Sequence, residues 1–191
     1  MEVSLSQPPD SRLPAVVIFT LGGTIASVAD PGGAAEVRLS GTELLAAVPQ
    51  VGAAAQVEVR SFRQVPSGDL TLADVVALAG EIRRSIGAGA DGVVVTQGTD
   101  TLEETSYALD LLLDGDAPVV LTGAMRSASL PGADGPANLV AAVRVAASRE
   151  ACGLGVLVVL NDEIHAARFV RKRHTTSTAS FGSPLAGCSG T

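Results

Sequence analysis

Thr99 and Asp100 stand side by side in the stretch Val93-Val94-Val95-Thr96-Gln97-Gly98-Thr99-Asp100-Thr101-Leu102-Glu103-Glu104-Thr105, where a β-branched run passes through one glycine into a helical pattern. A hydroxyl and a carboxylate are thereby presented together at the carboxyl end of a strand, where open α/β sheets bind their ligands. Thr24 repeats the arrangement after Gly22 and Gly23, a pair that lets the backbone turn sharply and approach a ligand with no β-carbon in the way. A threonine alcohol is a weak nucleophile until a neighbouring base or cation eases its deprotonation, and it needs backbone amides to hold an oxyanion. Glycine turns supply the amides, Asp100 supplies a carboxylate for a cationic substrate group, and Lys172 is a candidate activator where its ammonium is partly desolvated. The chemistry these parts suit is attack of a threonine oxygen on an amide or ester. Taken alone, Thr99 and Asp100 also suit a purely structural role, capping and turning the chain.

Two other chemistries fit less well. Glycine loops at helix N-termini cradle phosphates, but Gly22-Gly23-Thr24 is not GxGxxG, no GxxxxGK[ST] occurs, and Asp100 puts a carboxylate where a phosphate would sit. A serine hydrolase would need a GxSxG elbow, which is absent, and His165 and His174 lie together in a basic run where they read as exposed or edge-strand residues.

The elements that must position these residues follow from periodicity. Ala15 to Leu21, Val93 to Thr96, Pro118 to Leu121 and Gly155 to Leu160 are short apolar runs bounded by Pro or Gly, as expected of strands buried on both faces, while Gln56 to Phe62 alternates as an edge strand would. Between them lie helices. Ser40 with Glu43 predicts a capping box opening a short helix through Val48. Thr71 with Asp74 predicts another, opening a helix from Leu72 to Ile86 with Val75, Val76, Leu78, Ala79 and Ile82 inward. Thr101 with Glu104 predicts a third, so that the next helix starts at Thr101 and runs to Leu113 with Leu102, Leu109, Leu112 and Leu113 inward. Pro136 opens the last helix, which runs to about Ser148. Strand and helix alternation implies an α/β fold: a three-layer α/β/α arrangement with a mostly parallel, doubly wound sheet of flavodoxin or Rossmann type and right-handed crossovers. Ala26 to Arg38, rich in Ala, Gly and Asp without periodicity, reads as a structureless binding loop or mobile lid.

Composition narrows the function. The 191 residues suit one sizeable core. With 47% hydrophobic but only 3% aromatic residues, that core must be packed from Ala, Val, Leu and Ile. Mean hydropathy is +0.37, yet no run approaches the roughly 18 apolar residues of a membrane helix, and a soluble protein is expected. The first 14 residues, with Pro8, Pro9, Asp10 and Pro14, have no signal-peptide core, which predicts a flexible lead-in and a cytoplasmic location. A net charge of −7 and a pI near 4.7 disfavour nucleic-acid backbones and anionic membranes and favour a small-molecule ligand. The basic run Arg168, Arg171, Lys172 and Arg173 is short and interrupted, as a solvated strand edge would be. Cys152 and Cys188 have no metal-ligand spacing and are given no function; in a reducing compartment they stay thiols.

Beyond these readings, the sequence resembles the bacterial-type L-asparaginase and glutaminase-asparaginase amidohydrolases. Thr20-Leu21-Gly22-Gly23-Thr24-Ile25-Ala26 is similar to that family's first active-site motif, and Val95-Thr96-Gln97-Gly98-Thr99-Asp100-Thr101-Leu102-Glu103-Glu104-Thr105 to its second. Gly123-Ala124-Met125-Arg126, Ala133-Asp134-Gly135-Pro136-Ala137-Asn138 and Gly155-Val156-Leu157-Val158-Val159-Leu160-Asn161-Asp162 match further blocks in the same order, so the likeness spans about Ala15 to Phe181. The resemblance implies that Thr24 is the nucleophile, acylated by the substrate's side-chain amide with release of ammonia. It implies that Lys172 polarises Thr99 in a second constellation, that Asp100 holds the substrate's α-ammonium group, and that Ser67 binds its α-carboxylate. The backbone near Ala124, with Gly23, would help hold the amide and its oxyanion, and Gly68 would face substrate. It implies no metal or organic cofactor, L-asparagine with L-glutamine as a second candidate substrate, and a homo-oligomer, dimer or tetramer.

Three departures from the family pattern qualify that picture. The loop Val28 to Leu39 lacks the tyrosine that supports the nucleophile in relatives, and the only tyrosine, Tyr107, falls inside a helix. Gly68 stands where many members have a glutamine. The chain stops at Thr191, about where a linker to a smaller C-terminal domain would begin. The expectation is therefore a flexible segment over 1–14, an asparaginase-like α/β domain over 15–181 and the start of a linker over 182–191, weakly active or inactive alone. Comparable ammonia release by this chain and by a form extended through a second domain would overturn that. A non-catalytic amino-acid-binding module, or the amidase component of a larger amidotransferase complex, is the alternative.

Overall fold

A computed structural model describes residues 12–23, 25, 27–29, 35–37, 43, 46 and 48–186. The strands are β1 (Ala15–Thr20), β2 (Ser27–Ala29), β3 (Ala35–Val37), β4 (Gln56–Ser61), β5 (Gly92–Thr96), β6 (Val119–Thr122), β7 (Val156–Leu160), β8 (Glu163–Ala166), β9 (Arg171–Lys172) and β10 (Phe181–Gly182). The helices are α1 (Val51–Ala54), α2 (Leu72–Gly87), α3 (Leu102–Leu112) and α4 (Gly135–Ala146).

Period-two alternation of apolar side chains on the central strands requires a helical layer on each side of the sheet. One set of strand positions, Val17, Phe19, Val93, Val95, Val119, Leu121, Val156 and Val158, packs against Leu78, Ile82, Leu102 and Leu109 of α2 and α3. The alternate set, Val16, Ile18, Val94, Val120, Leu157 and Val159, packs against Val51 of α1 and Leu139, Ala142 and Val143 of α4. Six strands form the main sheet in the order β4-β1-β5-β6-β7-β8. All its pairings are parallel except β7 with β8. The chain order thus reverses between β1 and β5, and the carboxyl ends of these two adjacent strands form the switch point at which doubly wound sheets open a crevice. Gln56–Ser61 is the edge strand its alternation predicts.

Several expectations need correction. The capping box at Thr71 and Asp74 is present, with both reciprocal bonds made, but Val76 on the same helix is 51% exposed rather than inward. At Thr101 no capping box forms. A 3-10 turn over Thr99–Thr101 precedes α3, which begins at Leu102. The Thr101 hydroxyl instead donates to the Ser67 carbonyl at 2.9 Å, so a contact between two loops has displaced a local cap. Leu112 and Leu113 are only partly buried against the core. Within Ala26 to Arg38, β2 and β3 pair antiparallel, so that segment is not structureless. His165 lies on an edge strand, β8, as one of the two readings had it, but it is buried rather than exposed. The bounds of β8 were not foreseen, and Asn161 and Asp162, with positive φ of 52° and 61°, form the two-residue turn that folds it back on β7. The Ser40 to Val48 helix, residues 1–11, Thr24 and Cys188 fall wholly or mostly outside the described residues. Among the described residues no helix is long and apolar enough to cross a membrane, and no group of three or more His, Cys, Asp or Glu could hold a metal ion.

Candidate active site

Two glycine turns at the switch point press their backbones together. Gly23 has φ 87°, and a β-carbon there would lie 2.1 Å from the Gly98 nitrogen, so only glycine lets the loop after β1 touch the loop after β5. A β-carbon on Gly98 would in turn lie 2.7 Å from the Ser67 hydroxyl, which brings the loop after β4 into the same contact. On the other side, a β-carbon on Gly123 would meet the Gln97 carbonyl oxygen at 2.7 Å and the Thr99 methyl at 3.1 Å. Four strand ends thus converge at three glycines, where an added β-carbon would clash.

The convergence leaves a recess of about 220 Å³ lined by Gly23, Pro66, Ser67, Gly98, Thr99, Asp100, Ala124, Met125, Lys172 and Thr175. Within it the Lys172 ammonium donates to Thr99 Oγ1 at 2.9 Å and to Asp100 Oδ1 at 2.7 Å. The lysine side chain is 17% exposed and the Asp100 side chain 80% exposed, so the carboxylate lies open to solvent while the amine is largely sheltered. Thr99 accepts this bond through its oxygen, so its own proton is free to be directed elsewhere. Ser67, buried in a 3-10 turn of its own, accepts through its hydroxyl oxygen from the Asp100 N–H at 3.3 Å. The carboxyl-end loop of β6 is held by Asp134, whose carboxylate accepts from the Met125 and Arg126 amides at 3.0 and 2.8 Å. Asn138 of α4 spans the ends of two strands, donating to the Gly123 carbonyl and accepting from the Asn161 N–H, each at 3.0 Å.

Of the residues singled out by sequence, Gly23, Ser67, Thr99, Asp100, Ala124 and Lys172 are brought together here. Gly68 is exposed and does not line the recess, and a β-carbon on it would meet nothing within 4 Å. Thr24 lies outside the described residues, between Gly23, which lines the recess, and Ile25, which is buried in the core. Sequence reasoning missed Pro66, Met125 and Thr175 in the lining and gave no role to Glu103, Asp134 or Asn138. Lys172, which sequence reasoning did single out, is the one lysine among 13 Lys and Arg residues. Neither histidine lines the recess. His174 is exposed, and His165 is buried on β8 with Nδ1 3.0 Å from the Ser183 hydroxyl.

The recess is not the largest cavity. One of about 700 Å³ opens at the opposite rim between Arg12, Asp91, Ser148 and Arg149. Its acid is already engaged, since Asp91 accepts from the Ala15 N–H at 2.7 Å and pairs with Arg12 at 3.6 Å.

Comparison with known proteins bears on the family and the fold. The chain is 41% identical over 199 residues to L-asparaginase 2 of Bacillus subtilis, covering 98% of this chain and 52% of that protein. It is 37% identical over 179 residues to the glutaminase-asparaginase of Pseudomonas fluorescens biotype A, covering 91% and 49%. The crystal structure of a probable cytoplasmic L-asparaginase from Campylobacter jejuni superposes with a TM-score of 0.88 at 39% identity, over 92% of this chain and 54% of that one. The chain therefore spans about half the length of the curated relatives it matches. The family model described as the asparaginase N-terminal domain matches residues 15–191, and on that match the chain belongs to the asparaginase family.

Proposed function

We propose that this chain supplies the nucleophile and lysine side of an amidohydrolase site that converts L-asparagine to L-aspartate and ammonia. The observation that carries the reading is the Lys172 ammonium bridging Thr99 Oγ1 and Asp100 Oδ1 in a recess that the glycine before Thr24 also lines. Relatives named L-asparaginase and glutaminase-asparaginase support it.

In the proposed reaction Thr24 Oγ attacks the side-chain amide carbon of the substrate. A C–O bond forms, the carbonyl oxygen becomes an oxyanion held by backbone amides near Gly23 and Ala124, and the threonine proton passes to the departing nitrogen. The C–N bond breaks and ammonia leaves an aspartyl ester on Thr24. Water then adds to the ester, gives one proton back to Thr24, and frees L-aspartate. Lys172 polarises Thr99, and Thr99 orients the reacting water or amide. Asp100, open to solvent, takes the α-ammonium group. Ser67 and the positive end of α3 attract the α-carboxylate. No step calls for a metal or organic cofactor. L-glutamine is the second substrate to test, and assembly as a homo-oligomer and a cytoplasmic location belong to the same proposal.

Ammonia release from L-asparagine and from L-glutamine tests the reading, measured for this chain alone and for the chain joined to the remaining half of a relative. Turnover in either form that disappears with Thr24→Ala supports it. Turnover that survives Thr24→Ala removes Thr24 from its role, and no release in either form leaves a binding module as the better reading.

A further inference from the structure

Lys172 sits on a strand too short to hold itself. Strands β9 and β10 pair over only two residues each, Lys172 opposite Phe181 and Arg171 opposite Gly182, and an isolated ribbon of this size is not stable in water. Its next bond runs from the Arg173 N–H to the Ser180 carbonyl. The Lys172 N–H goes elsewhere, donating to the carboxylate of Glu103 in the first turn of α3. The same carboxylate stands 3.6 Å from the Arg171 guanidinium. Thr99, Asp100 and Glu103 belong to one strand-to-helix connection, so that connection grips Lys172 twice: its ammonium through Thr99 and Asp100, its backbone through Glu103.

The two contacts of Glu103 differ in weight. Its pair with Arg171 is long and Arg171 is largely exposed, the kind of surface ion pair that contributes little. The bond from a backbone N–H to a carboxylate is charge-assisted, and it satisfies an amide that would otherwise lack an acceptor. Glu103 is also well placed electrostatically, since a carboxylate in the first turn of a helix is favoured by the dipole.

We propose that Glu103 is a positioning residue that fixes the backbone of β9 and thereby aims the Lys172 ammonium between Thr99 and Asp100. Its consequence for turnover rests on the amidohydrolase reading, but the positioning itself does not. Because Lys172 is the chain's only lysine, acylation by a small amine-directed reagent, mapped by peptide mass spectrometry, reports this one side chain apart from the N-terminal amine.

Glu103→Ala is expected to speed acylation of Lys172 roughly tenfold, the scale of one lost charge-assisted hydrogen bond. Glu103→Gln stays within about twofold of the parent, because its amide oxygen still accepts the backbone N–H. Arg171→Ala is expected to behave like Glu103→Gln. In whichever form turns over, Glu103→Ala lowers kcat for ammonia release by about one to two orders of magnitude, and Glu103→Gln restores it, as expected when a remote change misplaces a reacting group. Labelling of a folded Glu103→Ala protein at the parent rate overturns the proposal, and so does a Glu103→Gln or Arg171→Ala protein that labels as fast as Glu103→Ala. Should Glu103→Ala fail to fold by circular dichroism, Glu103→Ser takes its place, since its hydroxyl is too short to reach the Lys172 N–H: roughly tenfold faster labelling supports the proposal and labelling at the parent rate overturns it. If the parent releases no ammonia at all, the amidohydrolase reading fails while the labelling rates still decide the role of Glu103.

Discussion

Strand β5 has a glycine at each end, and the two glycines are enclosed by different things. At the amino end, a β-carbon on Gly92 would stand 2.0 Å from the Ala146 carbonyl oxygen in the last turn of α4. Just past the carboxyl end, a β-carbon on Gly98 would meet the hydroxyl of Ser67 at 2.7 Å. Backbone meets backbone at the first, so the glycine there serves close packing of helix on sheet. At the second a loop meets a polar side chain that faces a recess. The cavities at the two rims differ in the same sense: the larger one, about 700 Å³, has its acid Asp91 engaged in closing the fold. The smaller, about 220 Å³, holds a sheltered amine, an open carboxylate and a threonine oxygen within hydrogen-bond reach of one another. The two rims thus differ in what their polar groups do: at one the acid ties the fold together, at the other amine, carboxylate and hydroxyl meet beside an open recess.

The contrast can be broken by substitutions at either rim. The largest expected effect is on turnover at the carboxyl rim. In whichever form turns over, Thr99→Val removes the oxygen that accepts from Lys172 and should lower ammonia release by about two to three orders of magnitude, with thermal unfolding close to the parent's. Unchanged release would take Thr99 out of the chemistry. At the amino rim Gly92→Ala should do the reverse. A backbone carbonyl cannot swing aside, so a loss of about 3 kcal/mol is expected, lowering Tm by roughly 10 °C while release per folded molecule is kept. The contrast fails if Gly98→Ala proves the more destabilising of the two.

Two smaller effects sharpen the picture away from both rims. Burial pushes the His165 pKa below its ordinary value, against the opposing pull of Glu163. The unfolded chain then takes up a proton first as pH falls, so stability is level above about pH 6.5 and declines below it. His165→Gln should flatten that decline in urea unfolding between pH 7 and 5, and an unaltered slope would show that other groups govern it. Smallest is Thr71→Ala, which removes the capping bond to the Asp74 N–H and should cost about 1 kcal/mol with no change in ammonia release.

The fold was legible wherever one signal dominated. Val93, Val94 and Val95 form an unbroken β-branched run because both faces of β5 are covered, and no competing pattern confuses that reading. The Thr71 cap was legible because its partners are local. Thr101 has the same local signature, but its hydroxyl is taken by a carbonyl 34 residues away, and no window along the chain reveals that. Val76 sits on the helical face predicted to be inward, yet that position is half exposed. The turn at Asn161-Asp162 carried a readable hairpin signal in two residues that tolerate positive φ, and β8 follows from it. At the site, Thr99, Asp100 and Lys172 were within reach of sequence reasoning through residue type and family motif. Glu103 was not, because its task is to hold the backbone of a residue 69 positions away.

The most direct test is Lys172→Arg, made in whichever form turns over L-asparagine and assayed for ammonia release alongside a thermal melt. Twelve of the 13 basic residues are already arginine, and the substitution keeps the positive charge facing Asp100 while replacing a compact amine with a planar fork that is never deprotonated. If the amine itself bridges Thr99 and Asp100 for catalysis, release falls by about two orders of magnitude or more with Tm nearly unchanged. Release at the parent rate would mean that a cation of any shape suffices, and the central claim about Lys172 would be contradicted.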